Sequence, residues 1–240
     1  MKLIVLGSDS KGNGYILTNG TETLIIECGI SLAKVKKALD FNVSSIVGVL
    51  VSHRHGDHAK YLSEYLRLGA KVFAGEDVIL QNNVKNAAII QPPLCKTKIG
   101  GFTIVAFNVF HDVPTYGFHI HHQDSGNILF LTDTYMCEYT FPALSHILVE
   151  ANYAEDILTD NVAFGRVDKY TKERVWRSHM ELETTKGVIK SNDLSMVRNI
   201  VLIHLSEKNS NEKRFIDEMQ AISGRPVSAA KKGLILNFSL

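Results

Sequence analysis

A chain of 240 residues with 45% hydrophobic side chains is long enough to bury one sizeable core. Its 26 basic and 25 acidic residues leave a formal net charge of +1, so no global field draws it to nucleic acid, acidic ligands or membranes, and any such contact must be local. Cys28, Cys95 and Cys137 are far apart and odd in number, which argues against a disulfide framework or a thiolate metal site.

In chain order, short apolar runs separated by turn residues read as strands: "KLIVL", "GYILT", "TLIIE", "SIVGVLV", "AKVFA", "FTIVAF", "YGFHIHH", "NILFLT", "HILVE", "NIVLIHL" and "GLILNF". Helical patterns lie between some of them. Ser31 is placed to cap "LAKVKKAL", "AKYLSEYLRLG" stops at Gly69, "ELETTKGVIKSN" carries the poor helix former Gly187, and "NEKRFIDEMQAIS" ends at Gly224. Two stretches read as irregular: 81–98, where Pro92 and Pro93 argue for a loop, and 156–172, which suits a flap or an interface arm. The first half is strand-heavy and the second alternates strand with helix, an α/β pattern with no repeat or linker, so one domain over 1–240 is expected. Only four consecutive apolar residues precede Gly7, too few for a secretory core. No run reaches the roughly 18 apolar residues of a membrane span, and a soluble, cytoplasmic protein is expected.

Chemistry concentrates in "VSHRHGDHAKYL". Side chains two apart on extended backbone share a side, so His53, His55 and Asp57 can converge at the end of a strand over residues 46–51. His58, where a helix begins, points elsewhere, toward a neighbouring ion. Imidazole and carboxylate suit zinc, iron and manganese, and the spacing HxHxDH suggests two ions rather than one. Three further candidates each follow an apolar run: His111, Asp133 and His204. Strand ends are rigid supports for ligands. His119, His121, His122 and His146 read as structural.

Together these residues resemble the metallo-β-lactamase superfamily, whose metal motifs they match in order over nearly the whole chain. The resemblance implies a four-layer αββα sandwich of two mixed β-sheets with metals at one edge. It also implies a first metal on His53, His55 and His111, a second on Asp57, His58 and His204, and Asp133 bridging them. Finer segments resemble the YycJ-type (WalJ/VicX) branch: "GSDSKGNGYIL", "HDVPTYGF", "LTDTY", "LVEANY" and "HLSEKNS". That branch is one of exonucleases or DNA-repair phosphodiesterases, with tRNase Z and RNase J among its relatives. The chain departs from the pattern at Glu27-Cys28-Gly29, at "SHMEL", at Tyr153 where the branch has histidine, and at Ser210 where it has asparagine.

The implied activity is that of a dinuclear hydrolase in which two divalent cations, zinc first and manganese or iron(II) as alternatives, lower the pKa of a shared water for attack as hydroxide. Asp57 is a candidate catalytic residue, His179 a candidate donor of the leaving-group proton, and Glu150 its supporter or an orienter of the metal histidines. Ser206 and Asn209 are candidates for binding phosphate oxygens or for capping the next helix. In "GRVDKYTKERVWR", Arg166, Lys169, Lys172, Arg174 and Arg177 lie near Tyr170 and Trp176, a composition that can track a strand and stack bases or simply solvate a helix face. The leading substrate is DNA or RNA, cut from the 5′ end. Cyclic nucleotides or other small phosphodiesters, and thiolesters or lactams as in glyoxalase II and β-lactamases, are the alternatives. A homodimer is left open.

Overall fold

The computed structural model describes residues 1–84, 87–89 and 95–240. The strands are β1 (Lys2–Gly7), β2 (Gly14–Thr18), β3 (Thr23–Ile26), β4 (Ile46–Val51), β5 (Val72–Ala74), β6 (Ala88–Ile89), β7 (Lys96–Ile99), β8 (Phe102–Val109), β9 (Thr115–His122), β10 (Gly126–Leu131), β11 (Leu144–Glu150), β12 (Asn199–Ile203), β13 (Val227–Ala229) and β14 (Ile235–Asn237). The helices are α1 (Leu32–Ala38), α2 (Gly56–Ala59), α3 (Leu62–Arg67), α4 (Glu76–Gln81), α5 (Glu155–Ala163), α6 (Lys169–Ser178), α7 (Leu182–Lys190) and α8 (Glu212–Ser223).

Two seven-stranded sheets form, in the orders β14-β1-β2-β3-β4-β5-β6 and β13-β12-β11-β10-β9-β8-β7. Both are mixed by the same plan. Antiparallel pairs from β14 to β3, and from β7 to β10, give way to parallel pairs from β3 to β6 and from β10 to β13. The parallel strands are apolar on both faces because both faces are covered. Tyr15, Leu17, Leu24 and Ile26 of the first sheet meet Phe118, Phe130, Leu148 and Val201 of the second in a shared core. The alternate residues Ile16, Ile25, Val49 and Val51 pack against Val35, Leu62 and Tyr65 of α1 and α3. On the far side Ile147, Val149, Ile200 and Leu202 pack against Leu182, Ile189, Phe215 and Met219 of α7 and α8. Helix, sheet, sheet, helix is the αββα sandwich expected.

The parallel strands bring their carboxyl ends to one edge, where β4, β10, β11 and β12 finish beside β8. Elsewhere the expectations need amendment. Ser31 precedes α1, but its side chain caps nothing; the first-turn amide of Leu32 instead donates to Glu64 Oε2 of α3 at 2.9 Å. The stretch read as a helix after His58 holds one, α3, which is shorter than the segment and is preceded by the separate short helix α2. Gly224 ends α8 in the left-handed region at φ 62°, as its lack of a Cβ allows. The irregular 81–98 contains β6 and most of β7 among its described residues, whereas Pro92 and Pro93 lie outside them. The supposed flap over 156–172 is helical: most of α5 and the start of α6, where Asp168 caps the helix by accepting from Thr171 N. Dense charge hid that period. Among the described residues, no helix is long and apolar enough to cross a membrane.

Candidate metal centre

Every residue of the expected cluster follows a strand at the shared edge. His53 and His55 come just after β4, with Asp57 and His58 on α2. His111 follows β8, Asp133 follows β10, Glu150 ends β11 and His204 follows β12. Glu27, Asp133 and His204 take positive φ, 71°, 40° and 53°. Non-glycine residues in that region carry strain, and such strain gathers where function needs a side chain aimed.

Two groups converge. His53 Nε2 lies 3.0 Å from His55 Nδ1, which lies 3.2 Å from His111 Nε2. Nitrogens holding one zinc tetrahedrally at about 2.0–2.1 Å would be roughly 3.3 Å apart. Three neutral imidazoles cannot all satisfy one another across such gaps, whereas one cation satisfies all three. In the second group His58 Nε2 is 3.2 Å from both Asp57 Oδ2 and Asp133 Oδ1, and His204 Nε2 is 3.4 Å from Asp57 Oδ2. Asp133 turns its other oxygen toward the first group, 4.0 Å from His53 Nε2 and from His111 Nε2. Both groups have the donor chemistry of a divalent-cation site.

Three of the outward nitrogens are held by hydrogen bonds, which fixes the orientation of their rings. His111 Nδ1 donates to the Ser178 carbonyl at 2.7 Å, His53 Nδ1 is 2.9 Å from Ser52 Oγ, and His204 Nδ1 donates to Glu150 Oε1 at 3.1 Å. His58 Nδ1 faces buried Glu27 Oε2 at 3.5 Å. Asn13 Nδ2 donates to Asp57 Oδ2 at 3.1 Å, and Thr132 Oγ1 to Asp133 Oδ1 at 2.6 Å.

Glu150 is the hub of a third group. Its Oε1 accepts from His179 Nδ1 at 2.7 Å as well as from His204, while Oε2 accepts the amides of Thr134 and Met180 at 3.0 and 3.1 Å. His179 and Glu150, for which the sequence carried only a thin signal, are thus hydrogen-bonded to each other and to a cluster residue.

The electrostatics have one sense. Burial opposes charge on His58, yet Asp133 and Glu27 outweigh it and hold the imidazole well above the ordinary histidine range. His204 is likewise opposed by burial but pushed up to about 10 by Asp133, Asp57 and Glu150. Burial also opposes ionisation of Asp57 and Asp133, but the same histidines keep both carboxyls well below the usual range. His53 runs the other way, held well below the usual range by burial and by His58. The second group is therefore a carboxylate-rich pocket that draws in positive charge, whereas in the first group burial works against charge on His53 and His111.

The clusters open into a cavity of about 570 Å³ lined by His55, Asp57, His111, Asp133, His179 and His204, and by Ser206 and Asn209. Ser206 Oγ accepts the Asn209 amide at 3.2 Å, and Asn209 Oδ1 accepts from Asn161 Nδ2 at 2.9 Å, so both side chains serve the turn as well as facing the cavity. Sequence reasoning missed Asp112, whose Oδ1 is 3.1 Å from His111 Nε2 and 3.5 Å from His55 Nε2; its place beside His111 was the available signal. It also missed Asn13, present in the quoted "GSDSKGNGYIL". The basic segment divides. Arg166 and Arg174 line the cavity, while Lys172 pairs with Glu155, Arg177 pairs with Glu173, and Trp176 lines a separate groove with Tyr135 and Tyr153. His119, His121, His122 and His146 join none of the clusters among the described residues; His146 stacks on Phe238 with ring centroids 4.0 Å apart.

Known proteins share the fold of this chain and parts of its sequence. A family model described as "Anti-Pycsar protein Apyc1" matches residues 5–78. An exodeoxyribonuclease YycJ of Bacillus anthracis is 24% identical over 226 residues, 86% of this chain and 83% of that protein. The metallo-β-lactamase fold protein YhfI of Bacillus subtilis superposes with a TM-score of 0.72 at 17% identity, covering 98% of this chain and 99% of that one. Human tRNase Z, short form, superposes with a TM-score of 0.63 at 14% identity over the whole of both chains. The fold is the metallo-β-lactamase fold, and in sequence the chain is similar to the YycJ/WalJ exodeoxyribonucleases.

Proposed function

We propose that this chain is a divalent-metal-dependent phosphodiesterase that cleaves nucleic acid. The observation that carries the reading is the pair of adjoining donor sets, His53/His55/His111 and Asp57/His58/Asp133/His204, opening on the cavity that also holds His179. Similarity to an exodeoxyribonuclease and the fold shared with tRNase Z support the choice of a phosphodiester.

His53, His55 and His111 would hold one cation and Asp57, His58 and His204 a second, with Asp133 between them. Zinc suits the imidazole-rich first set, and manganese or iron(II) are the alternatives. When bound, such cations supply Lewis acidity toward the phosphoryl oxygens and a water of lowered pKa. The remaining work falls to the chain. Asn13 and Thr132 fix the carboxylates of Asp57 and Asp133, so little reorganisation is needed when charge develops. Glu150 accepts the proton on His179 Nδ1, so a proton delivered to the leaving oxygen would come from Nε2, the other ring nitrogen. The shared carboxylate ties that proton donor to His204.

Hydrolysis of bis(p-nitrophenyl) phosphate by metal-loaded protein tests the proposal. Asp57→Ala is expected to lower the rate by at least about a hundredfold with the circular dichroism spectrum retained. Turnover of thiolesters or nitrocefin with no cleavage of the diester would overturn it.

A further inference from the structure

The cavity has a wall that the chemistry at its floor does not use. Thr171, Arg174, Val175 and Ser178 form one stripe of α6, at spacings of three and four, and face the cavity together with Arg166 and Lys208. The acids along the same wall are engaged. Asp168 accepts from Thr171 N at 2.9 Å and from Thr171 Oγ1 at 2.7 Å, Glu207 pairs with Lys11, and Asp9 accepts the Lys11 amide at 2.7 Å. Among the described residues no carboxylate pairs with Arg166, Arg174 or Lys208. The guanidinium of Arg166 lies over the Phe164 ring, 5.3 Å from its centroid, with a 3.5 Å hydrogen bond to Asn161 Oδ1. In a chain whose charges otherwise nearly cancel, three cations without acid partners at one cavity mark a place for an anion. Two aromatics flank them. Phe164 is 70% exposed, and Tyr170, 87% exposed, is one helical turn before Arg174.

We infer that Arg166, Arg174 and Lys208 form a second anionic subsite, which holds a phosphate other than the one cleaved, while Phe164 and Tyr170 offer faces on which bases stack. The substrate class is then a single-stranded oligonucleotide rather than a cyclic nucleotide. A lone phosphate engaged at the metal cluster leaves this wall without an occupant, and a duplex keeps its bases away from stacking partners. The inference rests on the phosphodiesterase reading and narrows it.

The test is binding of a fluorescein-labelled phosphorothioate hexathymidylate to the metal-loaded full chain, followed by anisotropy across a salt series. Arg166→Ala/Arg174→Ala is expected to weaken binding at least about tenfold. It should also flatten log Kd against log salt by about 1.4, because two phosphates of the single strand are no longer neutralised. Lys169→Ala/Arg177→Ala removes the same charge from parts of α6 that do not line the cavity, and should stay within about twofold. Arg174→Ala alone avoids disturbing the Arg166–Phe164 contact. It should lower the selectivity of hydrolysis for an unmodified hexanucleotide over bis(p-nitrophenyl) phosphate about five- to tenfold. Equal losses from both double variants, or no preference of the wild type for the hexamer over thymidine monophosphate, would overturn the subsite. Unaltered selectivity with the chromogenic diester still cleaved would overturn the subsite alone. Failure to cleave any phosphodiester would instead overturn the proposed function.

Discussion

Replacing Glu150 by glutamine changes one atom and removes one charge at the hub of the site. The carboxylate is fully buried and accepts four hydrogen bonds, two from imidazoles on Oε1 and two from backbone amides on Oε2. An amide has one accepting oxygen and one donating nitrogen, and both of its orientations fail. With NH2 toward Thr134 N and Met180 N, two buried amides lose their acceptor, at about 1–3 kcal/mol each. With NH2 toward the histidines, His204 and His179 must accept at Nδ1 and carry their protons on Nε2, the nitrogen His204 turns toward Asp57. Relief from burying the charge offsets part of the loss. The expected result is a net destabilisation of the metal-free protein of about 2–4 kcal/mol by urea unfolding, or roughly 5–15 °C in Tm. Metal affinity, by chelator competition, should fall about 10- to 100-fold, as for other residues that orient ligands. Stability within about 0.5 kcal/mol of wild type together with metal affinity within twofold would refute the reasoning.

Two further outcomes are expected. A Cβ on Gly29 would sit 1.6 Å from the Asp57 carbonyl oxygen and 2.6 Å from Asn13 N, both rigid backbone, so Gly29→Ala should displace the Asp57 loop; more than a tenfold loss of metal affinity is expected, and unchanged affinity and Tm would contradict the packing. In metal-free protein His204, raised to about 10 against roughly 6.5 when unfolded, contributes stability that is complete below about pH 6.5 and lost as pH rises through 10, while the depressed carboxyls of Asp57 and Asp133 contribute stability lost on acidification below about pH 4. His53 and His111, held below the ordinary histidine range, cost stability as pH falls below about 6.5, so urea midpoints should peak near neutral pH and decline toward pH 10, and a steady rise between pH 7 and 10 would show that His204 is not held charged.

The αββα layers were legible because the parallel strands are buried on both faces, which makes their sequences continuous apolar runs with turn residues between them. Short or charged elements were not. β6 and β13 span two and three residues, too few to show a period, and α5 and α6 hide a narrow apolar stripe under dense charge. The alternation of residues along extended chain put His53, His55 and Asp57 together before any tertiary contact was known. Position at strand ends marked His111, Asp133 and His204.

Local sequence determined which residues offer donor groups suited to a metal and that a rigid sheet edge could hold them. Only the tertiary structure decided how they share the work: that Asp57 faces His58 and His204, that Asp133 lies between the groups, and that Glu150 joins His179 to His204. It alone separated Arg166 and Arg174, at the cavity, from Lys172 and Arg177, spent in ion pairs. The physical reason is range. Periodicity reports which way neighbouring side chains point, whereas the Glu150–His179 and Asp57–His204 contacts join residues 29 and 147 positions apart and exist only once two sheets have packed and brought their strand ends to one edge.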